Sequence, residues 1–246
     1  EVTRLLLFWK SKAIYIEGFG CVLLRDYPEE TIRSRPYTQV PLPQVNPDTI
    51  PWPVGDQLTD TIPQTLNIQK LNTFLDGVFT DTLPMKGTFA VAIAHKNQLV
   101  AERYRADLSP DNLFLSWSMA KSITNTLVGM LDAQGKVDIS APAPIDQWKS
   151  DERTHITWAN LLQMNSGLEW NENYGNHSDV NQMLFKNGDM ASFAINKQAE
   201  TKPDYIWYYS SGSTNIVCQL IRDVIANDAD YYAFPRKALF NRIGMR

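Results

Sequence analysis

The sequence predicts an α+β fold: an antiparallel sheet with flanking helices, joined to an all-helical subdomain. Three observations predict it. Residues 88–104, TFAVAIAHKNQLVAERY, hold two β-type runs around Lys96-Asn97, the pattern of a hairpin. Residues 118–135 and 213–227 carry apolar side chains at helical spacing, as amphipathic helices do. Between and after them, residues 140–240 show a succession of short helical patterns. A lone hairpin is not stable in water. Further strands are therefore expected from residues 1–30 or from sequence beyond Arg246, and the sheet is read as incomplete within this chain.

Composition narrows the function classes. The 246 residues are 43% hydrophobic and 20% charged, ordinary for a globular protein and enough for a sizeable core. A net charge of -4 with no basic run argues against a nucleic-acid partner. No apolar run reaches the roughly 18 residues that span a bilayer; the N-terminal stretch is broken by Lys10, Lys12 and Glu17. Cys21 and Cys218 are too few for a disulfide scaffold and are read as two buried thiols. His95, His155 and His177 are scattered, without a metal-ligand spacing, so no metal is expected.

Three regions follow in order. Residues 1–64 read as an irregular extension packed on the body. They hold a strand-like GFGCVLL and then a run with eight prolines between Pro28 and Pro63, which excludes long regular elements. Its Tyr37, Ile50, Trp52 and Val54 give it side chains to bury. Residues 65–139 read as the first part of the α/β domain. A helix carries Ile68, Leu71, Phe74, Leu75, Val78 and Phe79 on one face; the hairpin follows, with His95 at its turn edge. The next helix has an Ala120, Ile123, Leu127, Leu131 stripe and stops at Gly135. Residues 140–246 read as the helical subdomain. Thr157, Ser178 and Asp189 are placed to cap helices, and Asn165 to Gly167 to end one. Ile216, Val217, Leu220, Ile221, Val224 and Ile225 form a strong stripe, and Pro235 suits the first turn of a last helix.

Ser118 and Lys121 stand three apart in LSWSMAKSIT. On a helix these positions share a face. A serine hydroxyl needs a base to act as a nucleophile, and a lysine amine in a desolvated site can be one. The N-terminus of a helix also offers free N–H groups to a developing oxyanion. The pattern alone is weak: with 14 serines and 12 lysines, chance supplies roughly 0.7 such matches. The competing reading is a capping serine and a solvent-facing lysine. Apolar flanks (Leu113, Phe114, Leu115, Trp117, Met119) predict a buried start to the helix, where a lysine needs a reason. Downstream, Tyr209-Ser210-Ser211-Gly212 precedes the second strong helix. A tyrosine in such a turn can relay protons, or belong to an aromatic core patch with Tyr205, Trp207 and Tyr208.

The two elements, in this order and roughly 90 residues apart, resemble the serine β-lactamase-like family. That group holds class C β-lactamases, D-alanyl-D-alanine carboxypeptidases, esterases and 6-aminohexanoate-oligomer hydrolases. WPVGD, LVAERY, GKVDISAPAP, ITWANLLQMNSGLEW, SDVNQML and WYYSSGSTNIV extend the likeness over residues 50–246. The resemblance implies a β-lactamase/transpeptidase-like fold and hydrolysis of a small ester, amide, β-lactam or D-Ala-type substrate through an acyl-enzyme. It implies Ser118 as nucleophile with its backbone N–H in the oxyanion hole, Lys121 as base partner and Tyr209 as proton shuttle. Ser211 falls where many relatives carry Asn. No cofactor is implied, and export to the periplasm is common in the group. The family's late Lys-x-Gly or His-x-Gly strand is not found: Lys186-Asn187-Gly188 precedes Tyr209 and is read as a decoy. The missing C-terminal part of the same polypeptide is the partner this implies.

Two alternatives stay open. One is an inert fragment or binding module that keeps the fold. The other, a Ser-His-Asp hydrolase, has no G-x-S-x-G to support it. Around the motifs, Trp170 and Tyr174 are candidates for a substrate-facing wall. Asp179 is placed either in the cleft or as a first-turn charge on its helix. Glu169 and Glu172 are expected as solvated loop carboxylates.

Overall fold

The computed structural model describes residues 11–58, 63, 65–79, 87–175 and 177–245; the apolar residues 5–8 of the N-terminal stretch lie outside them. The elements in order are β1 (Lys12–Ile16), β2 (Gly20–Leu24), α1 (Glu29–Arg33), α2 (Ile68–Phe79), β3 (Ala90–His95) and β4 (Gln98–Tyr104). They continue with α3 (Met119–Ala133), α4 (Trp158–Gln163), α5 (Asp179–Lys186), α6 (Met190–Ile195), α7 (Ser211–Ile225) and α8 (Asp228–Ala238). The expected α+β class holds. The chain forms two compact units, one of Glu1–Val40 with Ser118–Ala238, the other of Pro41–Trp117 with Leu239–Arg246.

In the first unit α7 is the axle: α3, α4, α5, α6 and α8 all pack on it. Its Ile216, Val217, Leu220 and Ile221 are buried, as the stripe in the sequence requires. Around it the core is closed by Val128 and Leu131 of α3, Leu161 of α4, Val180 and Met183 of α5, and Trp148. The caps are where the sequence puts them. Thr157 and Asn160 make a reciprocal capping box on α4, Ser178 caps α5, Asp189 caps α6 and Ser210 caps α7. Each satisfies N–H groups that a helix start leaves open.

Arg153 is buried and pins this unit's loops together. Its guanidinium donates to the carbonyls of Ile195 (3.1 Å) and Lys197 (2.8 Å) and pairs with Asp151 at 2.6 Å. The Ile195 carbonyl also accepts from the indole N–H of Trp148 at 2.9 Å.

Residues 12–33 are more regular than the sequence suggests. GCVLL does form a strand, but it pairs back on KAIYI in register Tyr15 to Cys21. Gly18 and Gly20 turn the hairpin at φ +77° and +84°, a region glycine enters without strain. Tyr15 and Cys21 share the outward face, so Cys21 is exposed. The reading of two buried thiols is thus corrected: Cys21 is exposed and Cys218 half-buried, and both are free. Arg25 donates to the Phe185 carbonyl at 2.7 Å and Asp26 accepts from the Gly188 N–H at 2.7 Å, which ties the segment to the α5–α6 junction. Lys186-Asn187-Gly188 therefore closes a helix and lies on no strand. Helix α8 starts at Asp228, not near Pro235. Asn227 accepts from the Asp230 N–H at 3.0 Å, and two aspartates occupy the first turn, a start that outweighs the proline signal.

In the second unit, β3 and β4 form the predicted hairpin. Lys96 and Asn97 both take positive φ, +48° and +60°, as a two-residue loop between right-twisted strands demands. Arg103 of β4 reaches α2, pairing with Asp76 and donating to Asn72 at 3.1 Å. The Pro-rich run folds as turns, with Gly55 enclosed where a Cβ would meet the Ile50 carbonyl at 2.3 Å. Among the described residues no third strand joins either hairpin.

Arg153 and its backbone N–H hold the Asp151 carboxyl down to about 2. A folded-state value below the unfolded one of about 3.9 contributes stability that is complete above that pH and lost as pH falls through about 2. Asp151→Asn is therefore expected to lower the urea midpoint at pH 7, with the difference from wild type closing as the pH is taken down to about 2. A constant difference across that range would exclude the ion pair as its cause.

Candidate functional site

Ser118 stands at the N-cap position of α3, but its side chain caps nothing. Its Oγ instead accepts from Lys121 Nζ at 3.1 Å. The hydroxyl is turned to the lysine and does not cap the helix. The preceding residue, Trp117, sits at φ +44°, a conformation that costs a non-glycine residue about 1–3 kcal/mol and concentrates at functional sites. The expected burial of the flanks is corrected. Leu113, Leu115, Trp117 and Met119 are exposed, and burial on α3 begins at Leu127.

Lys121 is half-buried and points at α7. Its Nζ makes a second hydrogen bond, to Ser211 Oγ at 3.1 Å, which joins the two motifs across a separation of 90 residues. The ammonium also lies over the Tyr209 ring, 4.9 Å from the centroid, within the range of a cation–π contact. The contact described for Tyr209 is with its ring face. Thus Ser118, Lys121, Ser211 and Tyr209 are brought together, while Asp179 is elsewhere engaged. It starts α5, accepts from the Asn171 N–H at 2.9 Å and pairs with Lys197 at 2.5 Å, which fits a first-turn charge.

Glu172 is the residue that sequence reasoning missed. Expected in solvent, it is half-buried and accepts from four donors. Ser211 gives its N–H (2.9 Å) and its hydroxyl (2.5 Å); Trp170 gives its indole N–H; Tyr174 gives its phenol at 3.1 Å. Burial, the largest cause, together with the Glu172 carboxylate holds the Tyr174 phenol above its ordinary value, so it remains a donor. The Ser211 N–H belongs to the first turn of α7, where an anion is favoured by the helix dipole. Trp170 is buried with its ring against Gly212, and Tyr174 is about half exposed. A Glu spaced two residues from both a Trp and a Tyr was the only available signal, and such a spacing is common in loops.

A hydroxyl, an amine and a fixed second hydroxyl, in a site with no grouping of metal ligands among the described residues, can carry nucleophilic acyl chemistry. Residues 84–246 match the model of the Beta-lactamase family, more than half of the chain. The chain belongs to the Beta-lactamase family.

The 6-aminohexanoate-dimer hydrolase of Paenarthrobacter ureafaciens is 28% identical over 89 residues, 35% of this chain and 23% of that protein. Among solved structures, a protein provisionally assigned as a 6-aminohexanoate-dimer hydrolase from Bacillus anthracis matches with a TM-score of 0.53 and 17% identity. The match covers 85% of this chain and 57% of that one. A provisionally assigned β-lactamase from Bacteroides dorei DSM 17855 matches with a TM-score of 0.50 and 13% identity, covering 71% and 50%. These structures establish the likeness of fold, and the chain spans less than two thirds of the length of each relative.

A Cβ on Gly212 would lie 2.6 Å from Trp170 Cζ3. Gly212→Ala must push the indole off the first turn of α7 and is expected to cost about 1–3 kcal/mol, as overpacking does. Urea unfolding measures it; an unchanged midpoint would show that Trp170 is not the support of this turn.

Proposed function

We propose that the protein is a serine hydrolase working through an acyl-enzyme on Ser118, with a small ester, amide or β-lactam/D-Ala-type compound as substrate. The observation that carries this reading is the Ser118 hydroxyl, free of any capping role and 3.1 Å from Lys121 Nζ. Lys121 takes the hydroxyl proton as Ser118 Oγ bonds to the acyl carbon. The Ser118 N–H at the start of α3 faces the oxygen that gains charge. The proton then passes to the leaving group, with Tyr209 as the relay, and water releases the acyl group by the same steps reversed. Tyr174, about half exposed beside Glu172, is the side chain we assign to meet the substrate.

The test is covalent labelling with a fluorescent phosphonate, with the modified peptide read by mass spectrometry. Label is expected on Ser118 and is absent in Ser118→Ala. Lys121→Ala is expected to slow labelling by about 10²- to 10⁴-fold, the usual range for loss of a general base, with the melting temperature little changed. Equal labelling of Ser118→Ala would move the nucleophile elsewhere. A folded protein that takes no label would favour a binding module with this fold.

A further inference from the structure

We propose that Glu172 is a positioning residue for the lysine, acting through Ser211. The inference rests on the acyl-enzyme reading and assigns a role to a carboxylate that the reaction itself does not require. Its basis is the direction of the hydrogen bonds. As a base, Lys121 is a neutral amine with two N–H donors and one lone pair. That lone pair must face the Ser118 hydroxyl. Ser211 Oγ lies at the same 3.1 Å from Nζ as Ser118 Oγ, and a serine hydroxyl can either donate or accept. Were Ser211 to donate, its proton would occupy the lone pair that has to receive the proton of Ser118.

Glu172 removes that possibility. It accepts the Ser211 hydroxyl proton at 2.5 Å and also holds the Ser211 N–H at 2.9 Å. One carboxylate thus grips the same residue by main chain and side chain. With its proton committed, Ser211 presents only lone pairs to Lys121. The amine must then donate an N–H to Ser211, and its own lone pair is left for Ser118. The carboxylate is in turn fixed by Trp170 and Tyr174, so four donors occupy its four acceptor sites. Ser211 is buried, and water has little access to reverse its polarity.

Gln matches Glu in size but exchanges an acceptor oxygen for an N–H₂ donor. In Glu172→Gln the four donors cannot all be accepted, and the amide can drive the Ser211 hydroxyl back toward Lys121. The experiment is a double-mutant cycle in the full-length protein, reading the rate of phosphonate labelling at Ser118. Glu172→Gln is expected to slow labelling at least about tenfold while Ser211 is present, and Glu172→Asp to recover part of that loss. Ser211→Ala and the Ser211→Ala/Glu172→Gln pair are expected to react within about twofold of each other, because the residue through which Glu172 acts is gone. Thermal unfolding of each variant separates misfolding from mispositioning. Equal slowing by Glu172→Gln in both backgrounds would reduce Glu172 to a loop anchor and overturn the proposal; so would no slowing in either. Failure of the acyl-enzyme reading has a different signature: the wild type takes no label, or Ser118→Ala labels as fast, and the role assigned to Glu172 falls with it.

Discussion

The first turn of α7 is buried, and the site depends on that. A helix start leaves its leading N–H groups without partners, and an unpaired polar group away from water is costly. Ser210 caps from within the turn. Glu172 supplies what the turn lacks, taking the Ser211 N–H from outside the helix. The same contact orients the Ser211 hydroxyl and sets the lysine between two serines. Gly212 is part of the constraint, since only a residue without a Cβ leaves room for the Trp170 ring, and that ring carries the indole N–H that Glu172 also accepts. A requirement of helix burial thus sets the geometry around Lys121.

The helices around α7 give the turn its rigidity. The starts of α4, α5, α6 and α8 are capped by residues of their own sequence, and the loops are cross-linked by Arg153, which bonds to the carbonyls of Ile195 and Lys197. Packing of this kind allows little repositioning. α3 is held at its far end by Leu127, Val128 and Leu131, while its first turn, with Ser118, is exposed. A hydroxyl at the open end of a helix anchored at its other end is accessible and still fixed in direction.

Much of this architecture is legible in the amino-acid sequence. The hairpin at Lys96-Asn97, the cap residues Thr157, Ser178 and Asp189, the stripe of α7 and the Leu127–Leu131 half of the α3 stripe all depend on neighbours within a few positions, and all stand where local spacing puts them. The differences have physical reasons too. KAIYI does not stand out as a strand, because its pairing with GCVLL is set by the turn at Gly18 and Gly20, whose positive φ leaves no periodicity in the sequence. Pro235 suits a helix start, but Asn227 with two aspartates is the stronger signal. Leu115 and Trp117 are apolar and still exposed, because burial follows from what faces a residue and not from its type alone.

The sequence by itself determined the class of the fold and most of its helices, and placed Ser118 and Lys121 on one face of α3, because local spacing and capping chemistry decide those. Only the tertiary structure decided that Ser118 serves no cap, that Lys121 also meets Ser211, and that Glu172 belongs to the site. Those contacts join residues 39 and 90 positions apart. No periodicity records them, since they exist only once α3, α7 and the loop after α4 have packed.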